Sequence, residues 1–279
     1  MSDPDNNAAR SAFARLSGLP DEHIDIIEGA LLIASETDGK VNVAKYQSHL
    51  DGLASKFMGQ FDPDTSVGVS VNSVINFIHN EEGFSGNVKA YYDPGNSYLN
   101  RVLDTRRGIP ITLALVHVGL GKRLDIPVGG INFPGHFLVR YGIEHKVIID
   151  PFSGRTLSEA DCTNLLGQIA GKPTKVQPQH LEFASNKAIL IRILDNLKKI
   201  FWGKRAWKES RACIERQLLL YPGDQGLLVQ LGAVYEMQGQ TQLAMSTYTS
   251  VLQNTDDPQL RDVASKRLLA VEPRSRNLH

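Results

Sequence analysis

The chain has few cysteines and no excess of charge of either sign. Its 279 residues include only two cysteines, Cys162 and Cys213, which excludes a disulfide-rich secreted scaffold and any site that needs four thiolates. Basic and acidic residues both number 30, and this balance argues against a protein that coats nucleic acid. The hydrophobic fraction of 42% is that of ordinary globular proteins, so we expect a folded chain.

Long apolar runs and metal-binding motifs are also missing. The longest apolar stretch, residues 109–120, is too short and too interrupted to span a bilayer. The first residues lack the basic and apolar segments of a secretory signal peptide, so we expect a cytoplasmic protein without membrane attachment. The eight histidines are scattered, and there is no H-E-x-x-H, paired C-x-x-C, P-loop or G-x-G-x-x-G pattern. We therefore expect no metal and no other cofactor.

The balance of charge changes sign along the chain. Residues 1–185 carry 16 basic and 21 acidic residues, whereas residues 186–279 carry 14 basic and 9 acidic ones. The segment at this change, GKPTKVQPQH (171–180), has two prolines, one glycine and no apolar period, which is typical of a linker. We predict a flexible N-terminus over 1–20, a first domain over 21–180 and a second, helical domain over 186–279.

The first part of the predicted first domain is helical. Apolar residues recur at helical spacing over Asp21–Ala34, where Asp21 is a candidate N-cap, and over Val43–Met58. A third helix is predicted over Val67–Asn80. These segments form a predicted helical subregion over 21–80.

The predicted core, residues 81–170, combines a buried helix with a sheet. GIPITLALVHVGLGKRL (108–124) is apolar on nearly all faces, as expected of a central helix, and Pro110 suits its first turn. Three short β-rich runs separated by turn residues then predict an antiparallel meander, at 128–133, 134–141 and 145–152. Helices followed by such a sheet predict an α+β fold.

The segment FSGNVKAYYDPGNSYLN (84–100) differs in composition from its neighbours. It is rich in glycine, asparagine, serine and aromatic residues, and DPGN (93–96) predicts a turn. Exposed turns of this kind often carry function, so we name Tyr91, Tyr92, Asp93 and Asn96 as candidate binding residues. The alternative is a loop that packs its own aromatic rings under a helix.

The C-terminal part contains an internal repeat of 34 residues, with frames at 191–224 and 225–258. LGAVY (231–235), Gly239 and Ala244 stand where a tetratricopeptide repeat has its signature residues. Two units and a capping helix over 259–270 are fewer than a free-standing array needs. The matching pairs are Leu194 and Leu228, Leu197 and Leu231, Phe201 and Tyr235, Ser210 and Ala244, and Ile214 and Tyr248.

The order of a central helix, a histidine on one strand and an aspartate at the end of the next resembles the transglutaminase-like, papain-like fold. That fold implies a thiol nucleophile in G-x-C-x-x-x-A at the start of the helix, with the histidine and aspartate activating it. GIPITLA (108–114) matches this pattern with Pro110 in the cysteine position. His136 matches the histidine and Asp150 the aspartate. Because proline has neither thiol nor hydroxyl, thiol acyl transfer from that position is excluded.

A wider pattern supports the resemblance. YYDPGNSYLN, RRGIPITL, PGHFLVR and IIDPFSG, followed by the repeat-like helices, resemble the SirB-type family of bacterial proteins. The resemblance covers about residues 20–270. It implies a papain/transglutaminase-like helix-and-sheet core with C-terminal tetratricopeptide-like repeats, and the family pattern itself has Gly-Ile-Pro at the helix start.

Three functions are compatible with these residues. The first is a non-catalytic module that binds a protein or peptide through the repeat-like helices. The second is a hydrolase or protease-like enzyme in which His136 and Asp150 act as a dyad, although the pair is equally explained by a structural role. The third is nucleic-acid binding through 187–216, where nine basic residues surround three aromatic ones; a solvated basic helix face explains the same residues.

Overall fold

A computed structural model describes residues 4–61, 70–143 and 146–271. The chain divides into two compact units, Met1–Ile193 and Leu194–His279. The first unit mixes helices with a sheet and the second consists of helices in its described part, so the predicted α+β class with a helical C-terminal region is confirmed.

The helices of the first unit gather around the predicted central helix. This helix, α6, begins at Pro110, ends at Arg123 and buries residues on all its faces, as its sequence predicts. The other helices in this unit are α1 (Pro4–Ser17), α2 (Ile26–Thr37), α3 (Val43–Met58), α4 (Val71–Asn76), α5 (Leu99–Thr105) and α7 (Glu159–Ala170).

The N-terminal segment is more ordered than its polar sequence suggests. The prediction of a flexible segment over 1–20 differs from the structure, in which α1 occupies most of that range. Ala9, Phe13 and Leu16 are spaced four and three residues apart, and all three are buried. This spacing places them on one face of a helix, where burial of apolar surface stabilises the segment.

Two other predicted helices begin or end elsewhere in the structure. Helix α2 is capped by Asp25, whose carboxylate accepts from two backbone N–H groups, and not by Asp21. The helix predicted over Val67–Asn80 consists of α4 followed by a π-helical turn over Phe77–Glu81. Residues 67–69 of that prediction lie outside the described residues.

The predicted antiparallel meander is confirmed, with a fourth strand that the sequence did not indicate. The strands follow one another in chain order, and neighbours pair antiparallel throughout. Helix α6 packs on one face of the sheet. On the other face, Leu138 and Ile148 pack with Cys162 and Leu166 of α7. The strands are β3 (Val128–Ile131), β4 (Leu138–Tyr141), β5 (Val147–Asp150) and β6 (Arg155–Leu157), and the short parallel pair β1 (Ser85–Gly86) and β2 (Arg107–Gly108) forms a second sheet.

Helix α6 approaches the sheet closely at Gly121. A Cβ atom there would lie 2.2 Å from Cγ1 of Val128. We expect Gly121→Ala to lower the free energy of unfolding by about 1–3 kcal/mol, because the buried helix must move away from β3.

Urea denaturation measures this effect, and Gly52→Ala in α3 is the matched control. An added Cβ at Gly52 has no neighbour within 4 Å. Alanine should therefore stabilise this helix by about 0.5–1 kcal/mol relative to glycine. Equal changes in the two variants would show that helix propensity, and not the contact with Val128, sets the result.

The division between the units lies inside a helix, later than the predicted linker at 171–180. The helix, α8 (Asn186–Gly203), begins where the Asp21 carboxylate accepts from the backbone N–H groups of Asn186 and Lys187. Its first turns are thereby bound to the N-terminal unit. The helices that follow are α9 (Trp207–Leu220), α10 (Gln225–Met237), α11 (Thr241–Asn254) and α12 (Pro258–Val271).

None of the helices in the described part of the chain combines the length and the apolar character that crossing a membrane requires.

Candidate functional site

The structure brings the predicted dyad together. His136 lies in the turn before β4, not on the strand itself, and Asp150 is the last residue of β5. Nε2 of His136 is 2.9 Å from Oδ1 of Asp150, and each side chain is 20% exposed. Because a carboxylate only accepts, Nε2 carries the hydrogen. Among the described residues, none bonds to Nδ1 of His136, so this atom is left for solvent or a ligand.

The carboxylate of Asp150 is held by more than the histidine. Oδ1 also accepts from the backbone N–H of Phe152 at 3.0 Å, and Oδ2 accepts from the hydroxyl of Ser153 at 2.7 Å. Burial alone raises the pKa of Asp150, but the hydrogen bonds from His136, Ser153 and Phe152 outweigh it and lower that pKa. Asp150 is therefore an ionised, fixed partner that orients the imidazole.

The nucleophile position contains no reactive group. Pro110 is buried as the first residue of α6, and the nearest hydroxyl along the helix, that of Thr112, donates to the carbonyls of Asn96 and Ile109. Cys162 is buried against the sheet, and burial raises the pKa of its thiol to about 11. Such a thiol is protonated at neutral pH and is a poor nucleophile. Cys213 is likewise buried.

The 84–100 loop lies next to the dyad. The backbone N–H of Gly86 donates to the carbonyl of Phe152, two residues after Asp150. Only glycine allows this approach, since a Cβ at position 86 would come within 2.4 Å of the Phe152 ring. The Tyr91 ring packs on Phe152 with centroids 5.8 Å apart and on Tyr92 with centroids 5.2 Å apart. The loop therefore places the exposed Tyr91 beside Phe152, two residues after Asp150, with the exposed Tyr92 next to it.

The two other candidate binding residues of the loop hold its shape. Asn96 is buried, and its amide donates to the carbonyls of Ala90 and Tyr91 while its oxygen accepts from Asn87. Its hydrogen-bonding groups are thus already used within the loop. Asp93 is exposed and caps a 3₁₀ turn by accepting from the N–H of Gly95. The structure places the exposed surfaces of the tyrosines, and not the amide of Asn96, where a ligand can reach them.

A buried chain of hydrogen bonds lies under the sheet. Nε2 of His79 is 3.0 Å from Nε2 of His117, and Nδ1 of His117 is 2.9 Å from the hydroxyl of Tyr141. Nδ1 of His79 is 2.9 Å from the carbonyl of Phe84, which can only accept. With both rings neutral, this fixes every hydrogen: Tyr141 donates to His117, His117 to His79, and His79 to Phe84.

Both histidines of this hydrogen-bonded network, His79 and His117, resist protonation. His117 is fully buried on α6, and burial together with the nearby His79 holds its pKa well below the ordinary value. Burial also lowers the pKa of His79, although the charge of Asp150 opposes this shift. No sequence motif predicts this network. The one signal for it was a histidine inside an otherwise apolar helix.

A metal site does not form from these residues. In the described ranges, no three side chains of histidine, cysteine, aspartate or glutamate are grouped so that they could hold a metal ion.

The central helix, the meander and the His136–Asp150 pair define a transglutaminase-like class of protein. The family model of the Transglutaminase-like superfamily matches residues 44–195, more than half of the chain. The chain belongs to this superfamily.

The matched relatives come from bacteria and from mammals. The chain is 31% identical over 245 residues to a UPF0162 protein of Xylella fastidiosa, covering 85% of this chain and 86% of the relative. It is 34% identical over 187 residues to a UPF0162 protein of Pseudomonas aeruginosa, covering 67% and 68%. Human F-box only protein 21 is 29% identical over 173 residues, which are 57% of this chain and 26% of that protein.

Proposed function

We propose that this protein is a non-catalytic, SirB-type member of the superfamily that acts in the cytoplasm as a protein-interaction or regulatory module. The observation that carries the proposal is the nucleophile position, where Pro110 is buried at the start of α6 and both thiols of the chain are buried elsewhere. The residual pair of His136 and Asp150 has no thiol to activate. Thiol-based acyl transfer therefore lacks its first reactant.

The C-terminal helices are the proposed binding surface, and we propose that they are tetratricopeptide-like. Ala244 and Tyr248 of α11 are buried against α10. A Cβ at Gly232 of α10 would lie 2.5 Å from the Tyr248 ring, so glycine permits this close helix crossing. Small residues at such crossings match the 34-residue repeat in the sequence. Arrays of this kind present extended surfaces for peptides.

Peptide binding without turnover tests the proposal. A displayed peptide library is selected on the full chain, and the selected peptides are recovered and weighed by mass spectrometry. We expect binders that keep their mass. Trp202 and Leu243 are 37% and 48% exposed in the C-terminal unit, and their replacement by serine should weaken binding of selected peptides.

Met58→Ser is the matched control, because Met58 is 47% exposed on α3 of the other unit. Binding lost equally in Met58→Ser and in the two C-terminal variants would contradict a surface on the C-terminal helices. Peptides that are cleaved or modified only when His136 is present would contradict a non-catalytic role.

The second candidate is a hydrolase that uses the dyad directly. The 2.9 Å bond between His136 and Asp150 favours it, since an oriented imidazole can take a proton from water. His136→Ala should then abolish hydrolysis. Nucleic-acid binding through 187–216 stays a prediction, and it requires an affinity that falls steeply with salt.

A further inference from the structure

A half-buried arginine without a carboxylate partner lies near the dyad. Arg192 of α8 reaches Asn132, where Nη1 and Oδ1 are 3.5 Å apart, the limit of a hydrogen bond. No carboxylate among the described residues forms an ion pair with Arg192. With no carboxylate neutralising it, this partly exposed guanidinium is available to an anion.

The packing of α8 brings Arg192 to the turn that carries His136. A Cβ at Gly130 of β3 would lie 2.6 Å from the Phe137 ring and 3.4 Å from Cδ1 of Ile189. Ile189 therefore sits over the end of β3, beside the residue that follows His136. Arg192 is almost one helical turn further along and contacts the same 132–137 segment through Asn132.

The loop of residues 84–100 faces the same place. Burial raises the pKa of Tyr91, the neighbouring Tyr92 adds to the rise, and the positive charge of Arg192 opposes it. Tyr91 in turn packs on Phe152, whose N–H bonds to Asp150. Tyr91 is thereby linked to Asp150 through Phe152, and Arg192 to the segment that carries His136 through Asn132.

We propose that this surface, formed by Arg192, Tyr91 and Nδ1 of His136, is a binding site for a carboxylate group of a peptide. The guanidinium supplies paired donors that match a carboxylate. The imidazole ring is held by Asp150 through Nε2–H, so Nδ1 can accept a hydrogen bond from an N–H group of the same peptide. The Tyr91 ring offers an apolar wall for the adjoining part of the peptide.

The site goes beyond the proposed function and does not depend on it. It uses residues of the N-terminal unit only, whereas the proposed interaction surface lies on the helices after residue 193. The carboxylate can come from a chain terminus or from an acidic side chain, and the experiment separates these two sources.

Titration calorimetry on the full chain tests the proposal with a matched set of peptides. The probes are an acetylated Gly-Ala-Leu-Ala with a free C-terminus, its C-terminal amide, and the amide of acetyl-Gly-Ala-Asp-Ala. We expect one of the two carboxylates to bind at least about tenfold more tightly than the plain amide, since a charge-assisted hydrogen bond contributes that much. In NMR spectra, the ring signals of His136 and Tyr91 should shift on titration.

Two substitutions in α8 test whether the positive charge of Arg192 is the one that binds the carboxylate. Arg192→Gln should weaken binding of the preferred acid about tenfold, while the folded spectrum is retained. Lys187→Gln removes the same charge from the same helix, five residues earlier, and should leave the affinity unchanged. Equal binding of acids and amide, absence of binding to all three, or equal losses in the two variants would each overturn the proposal. Arg192→Lys adds a second check, because it keeps the charge but loses the paired donors.

Discussion

Replacing His117 with leucine is expected to lower the free energy of unfolding by about 2–5 kcal/mol. The histidine is fully buried and links the hydroxyl of Tyr141 to Nε2 of His79. Leucine fills similar space but leaves both of these groups without a partner, and each unsatisfied buried polar group costs about 1–3 kcal/mol. Urea denaturation followed by circular dichroism measures the loss.

A double-mutant cycle separates the hydrogen bonds from general damage to the core. In the His117→Leu background, Tyr141→Phe removes one of the two orphaned groups and should recover about 1–2 kcal/mol. His23→Leu, on an exposed histidine, is the surface control and should change stability by less than about 0.5 kcal/mol. A loss in His117→Leu as small as that of the control would mean that the buried chain of hydrogen bonds contributes nothing to stability.

The second large effect is a loss of stability in mild acid. Folding holds the pKa values of His117 and His79 below the ordinary 6.5, mainly through burial. Below about pH 6.5 the unfolded chain therefore binds more protons than the folded chain, so stability falls as the pH drops. Each histidine kept neutral contributes a slope of up to about 1.4 kcal/mol per pH unit. Well above about pH 6.5 both states bind the same number of protons at these histidines, so the two residues add no pH dependence to the stability.

Denaturation curves between pH 7.5 and 5.5 check this expectation. His117→Leu should show a shallower dependence, because its share of the proton uptake is gone. The carboxyls of Asp25 and Asp150, whose pKa values are lowered, act in a different window, since their contribution is lost only as the pH falls below about 3.8. An identical slope in the wild type and in His117→Leu would show that other groups cause the acid sensitivity.

The parts of the fold set by local periodicity could be predicted from the sequence. The helix predicted over Val43–Met58 has those bounds in the structure, and the buried helix begins at Pro110, where proline suits the first turn. The meander followed from short β-rich runs between turn residues. Helix α1 could not be predicted from periodicity, because its few apolar residues are separated by polar ones and become buried only through tertiary packing.

The candidate site was predicted in part. The pairing of His136 with Asp150 followed from the resemblance to a known fold, and the structure gives it as a 2.9 Å hydrogen bond. The network of His79 with His117 could not be predicted, because its partners are 38 residues apart and no local pattern connects them. In the sequence, Arg192 is one of nine basic residues in the segment 187–216. In the structure, α8 contacts β3 through Ile189, and Arg192 contacts Asn132 in the segment that carries His136.

Trapping tests most directly whether this chain performs acyl transfer, which we propose it does not. The full chain and His136→Ala are incubated with an activated acyl ester and with a glutamine-containing peptide, and intact mass and product release are measured. We expect no acyl adduct on Cys162 or Cys213, and the same product release from both proteins. An adduct or a product that forms only when His136 is present would contradict the claim and establish the dyad as catalytic.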